Sequence, residues 1–331
     1  MTSVGNTLIM ADLYVGVDVG GTSVKCAVGT ADGTILQESS LPTDSHAGPH
    51  DVLRRIGEAV ETLMQEQGVK PRAVGMGLPG LVDTRRGVTR YLPNLTTHWK
   101  EIPAAEILAH QLGCEVRILN DVRTATYGEL TFGHGRRRDQ ISMVFMAIGT
   151  GIGGGIVIDG KLRIGSVGAA GELGHQTIDP TGPLCGCGNH GCLETLASGT
   201  ALAAEGIRLM LMGLAPALHQ LVQGDPGKVT AEALGKVADQ DDAVRQAILH
   251  AASYLAIGIA NVAVILHPEL VVLGGGVANL GELLLGRIKN DLRERVGPLF
   301  AMDDLLLETS QLGSQAGVLG AIALASRGLP D

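Results

Sequence analysis

Apolar and polar positions follow two rhythms along this chain, and the switches between them mark its elements. Short apolar, β-rich runs fall at 13–19 (LYVGVDV) and 24–28, separated by Gly20-Gly21-Thr22 and closed by Asp32-Gly33. Runs of that length between glycine turns predict a β-hairpin meander. From Asp51 to Gln67 apolar residues stand at 52, 53, 56, 60, 63 and 64, a helical period, with Gly68 placed to cap it. A short strand over 73–77 leads into Leu78-Pro79-Gly80 and on to Asp83, and a helix over 104–112 ends at Gly113. A strand over 115–119 then delivers Asn120-Asp121 at its carboxyl end, directly before another helical pattern.

The opening pattern recurs in the second half. An apolar strand over 141–148 meets Gly149-Thr150-Gly151, a strand follows over 153–158, and Asp159-Gly160 closes it. The match between 14–33 and 141–160 predicts two related halves, each opening with a hairpin whose tip is bare backbone. Two unrelated hairpins are the simpler alternative, because Asp-Gly is a common hairpin turn. Further on, the longest helix runs over about 241–266 to His267-Pro268, and a buried strand over 270–273 enters Gly274–Gly276. Another helical pattern, a last strand over 305–307 and a closing helix over 314–326 complete the chain. Strands alternating with helices predict an α/β fold.

Composition narrows the picture. The 331 residues leave room for about two domains. With 45% hydrophobic residues but 2% aromatics, the cores must be aliphatic. Forty-eight glycines, about double the usual share, fall in clusters, so tight turns or close backbone approach are wanted at fixed points. Twenty-five Lys+Arg against 34 Asp+Glu give −9, which argues against nucleic acid and anionic membrane as partners. The basic run Arg136–Arg138 reads as a solvated turn rather than a phosphate patch. Residues 1–11 lack the features of a signal peptide, and the apolar stretch from Tyr254 to Leu266, interrupted by Asn261, reads as too short for a bilayer. An odd count of five cysteines without a secretion signal predicts a reducing compartment, the cytoplasm.

Three constellations carry candidate chemistry. The turns Gly20-Gly21-Thr22 and Gly149-Thr150-Gly151 offer backbone N–H groups and a threonine hydroxyl to an anion, with Lys25 a possible charge partner. Ordinary hairpin turns are the bland alternative for each, but two at matching places could grip one polyphosphate. Neither is a Walker A loop or a helix-opening dinucleotide loop. Gly274–Gly276 does stand between a strand and a helix, where a nucleotide could lie. Asp121 sits where open α/β sheets place binding residues. It could serve as a general base toward a hydroxyl attacking phosphorus, or simply cap the following helix. Last, His175, Cys185, Cys187 and Cys192 form an H-x9-C-x-C-x4-C set suited to a closed, structural zinc site. His190 inside the loop could replace His175, while Cys26 and Cys114 read as core.

Together these segments resemble the ROK family of sugar kinases, in the actin-like ATPase superfamily. The resemblance runs from Asp18 to about Gly320 and is carried by DVGGTSVK, LPGLVD, LPNL with Trp99 after it, LND at 119–121, AIGTGIGGG, GAAGELGH, CGCGNHGCLE and HPELVVLGGGV. It implies a duplicated, ribonuclease H-like fold of two domains around a cleft, with ATP and Mg²⁺ on one side and a hexose on the other. We place the smaller domain at 12–125 plus 317–331 and the larger, with the zinc loop, at 126–316. The resemblance makes Asp121 the base for the sugar's 6-hydroxyl, with Gly80, Asn94, Asn120, Glu172, His175 and Glu194 around the sugar. It gives the phosphates to Gly20, Gly21, Thr22, Gly149, Thr150 and Gly151, the adenosine to Gly275 and Gly276, and the magnesium neighbourhood to Asp18. His175 would serve zinc with one ring nitrogen and the sugar with the other.

The blocks GAAGELGH and GCLETLASGTAL are most like the glucokinases of this family, which implies phosphorylation of glucose. N-acetylmannosamine and N-acetylglucosamine kinases carry a similar block and are the alternative. The family also contains sugar-responsive transcriptional regulators with an N-terminal helix-turn-helix, for which the roughly eleven residues before the first strand leave no room. Relatives commonly form homodimers or homotetramers.

Overall fold

The structure is a computed structural model that describes residues 12–92, 95–97, 99–297 and 305–329. Two compact units emerge, one of residues 1–132 with 315–331 and the other of residues 133–314.

The first unit begins with β1 (Leu13–Val19), β2 (Ser23–Thr30) and β3 (Ile35–Pro42), an antiparallel meander. Then come α1 (Pro49–Gln67), β4 (Ala73–Leu78), the small hairpin of β5 (Leu81–Asp83) and β6 (Val88–Tyr91), α2 (Ala104–Leu112), β7 (Glu115–Asn120) and α3 (Asp121–Thr131). Strand order is β3-β2-β1-β4-β7, with β4 parallel to both β1 and β7. In β1 and β4 the period of two separates large from small. Val15, Val17, Val74 and Met76 join the core with Leu53 and Ile56 of α1, while Gly16 and Gly75 turn the other way.

The second unit holds β8 (Met143–Ile148), β9 (Ile152–Ile158), β10 (Lys161–Arg163), α4 (Leu193–Ala197), α5 (Gly199–Leu211), α6 (Pro216–Val222), α7 (Ala231–Val237) and α8 (Asp242–Leu266). It continues with β11 (Leu270–Gly274), α9 (Glu282–Val296) and β12 (Leu306–Thr309). Its order, β10-β9-β8-β11-β12, repeats that of the first unit: two antiparallel pairings, then two parallel ones. The repeat that the two hairpins predict therefore extends through each whole sheet. Gly274–Gly276 leads first into a short 3-10 turn over 276–280 before α9 begins.

Two expectations change. The apolar stretch at 254–266 belongs to α8, whose 25 residues are long and apolar enough to cross a membrane by length and composition. Leu255, Ile259 and Val262 of that helix instead fill the core of the second unit, and 56% of its most apolar window is buried. The first unit also keeps the whole of α3, to Phe132, whereas a limit at 125 would cut that helix. α3 stays because α10 (Ala316–Arg327) packs along it: a Cβ on Gly320 would meet Thr124 O at 1.7 Å. β3, β5, β6 and β10 carry no sequence signal strong enough to have been expected; β3, for example, alternates between half-buried and exposed positions and contributes little to the core.

Candidate active site

Because β1, β4 and β7 run parallel, their carboxyl ends share one edge of the first sheet. Asp18 pairs with Gly77, and Leu78 with Asn120. Asn120 is the N-cap of α3, its Oδ1 accepting from Arg123 N at 3.1 Å. The capping role left open for Asp121 thus belongs to its neighbour, and Asp121 is the first residue of the helix. Asn120 Nδ2 donates to Gly80 O at 3.0 Å and to Asp121 Oδ1 at 2.8 Å, and Val122 N donates to the same oxygen at 2.8 Å. Those bonds orient the carboxylate and use both hydrogens of the Asn120 amide, so only its carbonyl oxygen has capacity left for a substrate. Gly80 has φ +89°, a conformation that favours glycine. Asn94 lies outside the described residues.

Strand alternation sends Asp18 toward α10, where a Cβ on Gly317 would lie 2.3 Å from Asp18 Oδ2. Burial raises the Asp18 pKa, and Lys25, its register partner on β2, opposes that shift. A partly buried carboxyl with incomplete charge compensation is the kind of hard oxygen donor that magnesium takes.

The two hairpin turns present backbone as expected. Gly20 N donates to Ser23 O and Gly149 N to Gly151 O, each at 2.9 Å. The N–H groups of Gly21, Thr22, Thr150 and Gly151 meet no acceptor among the described residues.

The cysteine loop closes on itself through short antiparallel bridges, Thr177 with Cys192 and Leu184 with His190. Gly191, at φ +60°, lies so close to Asp179 that a Cβ would fall 1.5 Å from its carbonyl oxygen. The loop is also laid flat on β9: a Cβ on Gly174 would meet Ile152 O at 2.0 Å. Behind it, Asn261 Nδ2 donates to Gln176 Oε1 at 3.2 Å, so the polar break in α8 supports the residue after His175.

Within the loop the ligand atoms of His175, Cys185, Cys187 and Cys192 all lie within 4.8 Å of one another. His175 Nδ1 is 3.6 Å from Cys185 Sγ, and Cys187 Sγ is 3.7 Å from Cys192 Sγ. Tetrahedral zinc with Zn–S near 2.3 Å and Zn–N near 2.0 Å sets ligand edges of about 3.5–3.8 Å, so the set fits the ion. His190 instead turns Nδ1 to Gly182 O at 3.2 Å, which decides between the two histidines. With Nδ1 on the thiol side, His175 directs Nε2 toward Glu172 Oε2, 3.9 Å away. Glu194, on the first turn of α4, places Oε2 2.8 Å from Ile152 N, beside the 149–151 turn.

A cavity of about 850 Å³ opens in the second unit beside that turn. Gly149, Thr150, Thr200 and Gly276 line one part, and Thr230, Glu232, Lys236 and Asn279 another. Gly275 does not line it; its φ of +84° and a Cβ distance of 2.4 Å to Ile148 O show that it serves close backbone packing. The α7 wall is invisible in sequence, because nothing separates α7 from any short amphipathic helix. A second cavity of about 800 Å³, lined by Lys70, Arg72 and Arg117 at the amino ends of the first unit's strands, holds none of the candidate residues.

Among known proteins, the profile of the ROK family matches residues 14–328. A glucokinase of Thermotoga maritima is 36% identical over 317 residues, covering 94% of this chain and 96% of its own. An N-acetylmannosamine kinase of Citrobacter koseri is 32% identical over 311 residues, covering 93% and 97%. The crystal structure of a ROK family glucokinase from Streptomyces griseus, in complex with glucose and AMPPNP, superposes with a TM-score of 0.82 at 31% identity, covering 96% of this chain and all of that one.

Proposed function

The chain belongs to the ROK family, with its actin-like ATPase fold, and as a sugar kinase of that family we propose that it transfers the γ-phosphoryl group of ATP to the 6-hydroxyl of glucose. The observation that carries this reading is the Asn120-Asp121 pair: a carboxylate at a strand's carboxyl end, oriented through Oδ1 by two donors. In the reaction the 6-hydroxyl oxygen bonds to the γ-phosphorus as the bond to the bridging oxygen of the β-phosphate breaks. The hydroxyl proton passes to Asp121, and ADP leaves. Phosphoryl transfer through a loose transition state needs positioning and charge stabilisation more than covalent help, so a fixed carboxylate suffices as base.

The remaining residues divide the work. Glu172, His175 and Glu194 hold sugar hydroxyls, and the N–H groups of Gly21, Thr22, Thr150 and Gly151 bind phosphate oxygens. The cavity bounded by Gly276 and α7 takes the nucleoside. Asp18 would hold magnesium, which when bound neutralises charge on the phosphates. His175, Cys185, Cys187 and Cys192 would hold a structural zinc ion, which would fix the His175 ring with Nε2 turned toward Glu172 and the sugar. The Streptomyces griseus relative with glucose and AMPPNP supports both ligands.

The likeness to an N-acetylmannosamine kinase favours one second reading, an acetamido sugar as acceptor. Turnover of glucose, mannose, N-acetylmannosamine and N-acetylglucosamine, with Asp121→Asn as control, tests both. We expect glucose to be preferred and the variant to lose activity by about a thousandfold. Unchanged activity in the variant would remove Asp121 as base, and turnover confined to an acetamido sugar would replace glucose.

A further inference from the structure

The 149–151 turn is held from outside by one helical corner. Cys192, a member of the zinc set, is the N-cap of α4, so the metal loop runs directly into the helix that carries Glu194. Glu194 Oε2 accepts from Ile152 N at 2.8 Å, and a Cβ on Gly151 would lie 2.3 Å from the same oxygen. Where α4 gives way to α5, Ser198 caps the new helix by accepting from Ala201 N. The next two residues reach the turn: Gly199 N donates to Gly149 O and Thr200 Oγ1 to Thr150 O, each at 2.8 Å. Two carbonyls of the turn and the N–H just after it are thereby engaged. What remains are the N–H groups of Thr150 and Gly151, the donors an anion needs.

The equivalent turn of the first unit is treated alike by unrelated residues. Thr43, fully buried, donates Oγ1 to Gly20 O at 2.7 Å and its N–H to Thr22 O at 3.0 Å. A hydroxyl and a backbone N–H thus occupy two carbonyls in each turn. A carbonyl left loose at such a place could rotate toward a phosphate and repel it, so engaging it favours the anion-binding shape.

We propose that the α4–α5 corner sets the phosphate-binding shape of the 149–151 turn, with Glu194 and Thr200 as positioning residues, so that the zinc loop serves the nucleotide as well as the sugar. This rests on the kinase reading above. The charge of Glu194 separates positioning from direct contact. An anion that merely faced the phosphates would repel them, and its removal would tighten nucleotide binding. An anion that shapes the turn would, on removal, loosen it.

The experiment is titration of AMPPNP into the zinc-loaded protein, without sugar, for the wild type and for Glu194→Ala, Glu194→Gln, Thr200→Val and Thr200→Ser. Glu194→Ala and Thr200→Val should each weaken nucleotide binding by about three- to tenfold. Glu194→Gln keeps an acceptor oxygen and Thr200→Ser a hydroxyl, so both should bind nucleotide as the wild type does, although Glu194→Gln should still lose glucose affinity. Thr200 is exposed and also lines the cavity given to the nucleoside, so weaker binding in Thr200→Val supports the clamp only together with weaker binding in a folded Glu194→Ala, whose side chain does not line that cavity. Wild-type nucleotide affinity in Thr200→Val, or tighter binding in a folded Glu194→Ala, would overturn the proposal. A wild type that binds no AMPPNP would instead overturn the kinase reading beneath it.

Discussion

Asp18 works against the fold it belongs to. Burial holds its carboxyl above the usual carboxylate pKa, so the native state binds the proton more tightly than the unfolded chain does. Between the unfolded value, about 3.9, and the raised native one, stability therefore falls as pH rises, and at neutral pH the charged side chain destabilises. Asp18→Asn should raise the melting temperature at pH 7, lose that advantage near pH 4, and abolish most phosphotransfer. A lower melting temperature than wild type at pH 7 would contradict this. Cys26, beneath the same strand pair, is pushed up to about 12 by burial and by Asp18, and should resist alkylation in the native protein at pH 8. Once a chelator has opened the zinc loop, its exposed member Cys187 should react first, as peptide mass mapping would show. The Cys26 context reads as core from sequence alone; the raised pKa of Asp18 does not, because it comes from burial, and Gly317, packed against the carboxylate, lies about three hundred residues along the chain.

At the scale of elements, the glycine excess has a structural use in α10. That helix lies against the glycine faces of β1 and β4, where a Cβ on Gly16 would meet Val318 O at 2.2 Å and one on Gly75 would meet Ala321 O at 2.0 Å. Both obstructing atoms are backbone, so neither can swing aside. Gly75→Ala should cost about 3 kcal/mol in a chemical denaturation experiment, the range of overpacking in a rigid site. Gly276→Ala is the contrast, since a Cβ there meets nothing within 4 Å, and stability should stay within about 0.5 kcal/mol. Equal losses at the two positions would refute the packing account. The alternation that makes this possible, Val-Gly-Val-Asp-Val in β1 and Val-Gly-Met-Gly-Leu in β4, stands in the sequence; which helix the glycine face receives does not.

At the scale of the whole molecule, each unit has its own core, largely aliphatic in both with Trp99 buried in the first, and the zinc set belongs to the second alone. Chelating zinc should therefore raise hydrogen exchange over 171–199 and in α8, which backs the loop through Asn261, while β1, β4 and α10 keep their protection. Loss of protection spread evenly over both units would refute an independent second core.

The repeat of the two hairpins, most of the helices and core strands and the spacing of the zinc set follow from local pattern. Periodicity, turn residues and ligand chemistry act within a few residues of one another, and sequence order preserves them. Only the tertiary structure decided the rest. It chose His175 over His190, gave the α3 cap to Asn120 and left Asp121 as an oriented carboxylate. It drew Glu194 onto the 149–151 turn, brought α7 to the cavity beside that turn and kept α3 whole beside α10. Each of these depends on which of several chemically suitable groups arrives within hydrogen-bonding or van der Waals distance once remote segments pack. That distance is a property of the assembled sheets, and no local period encodes it.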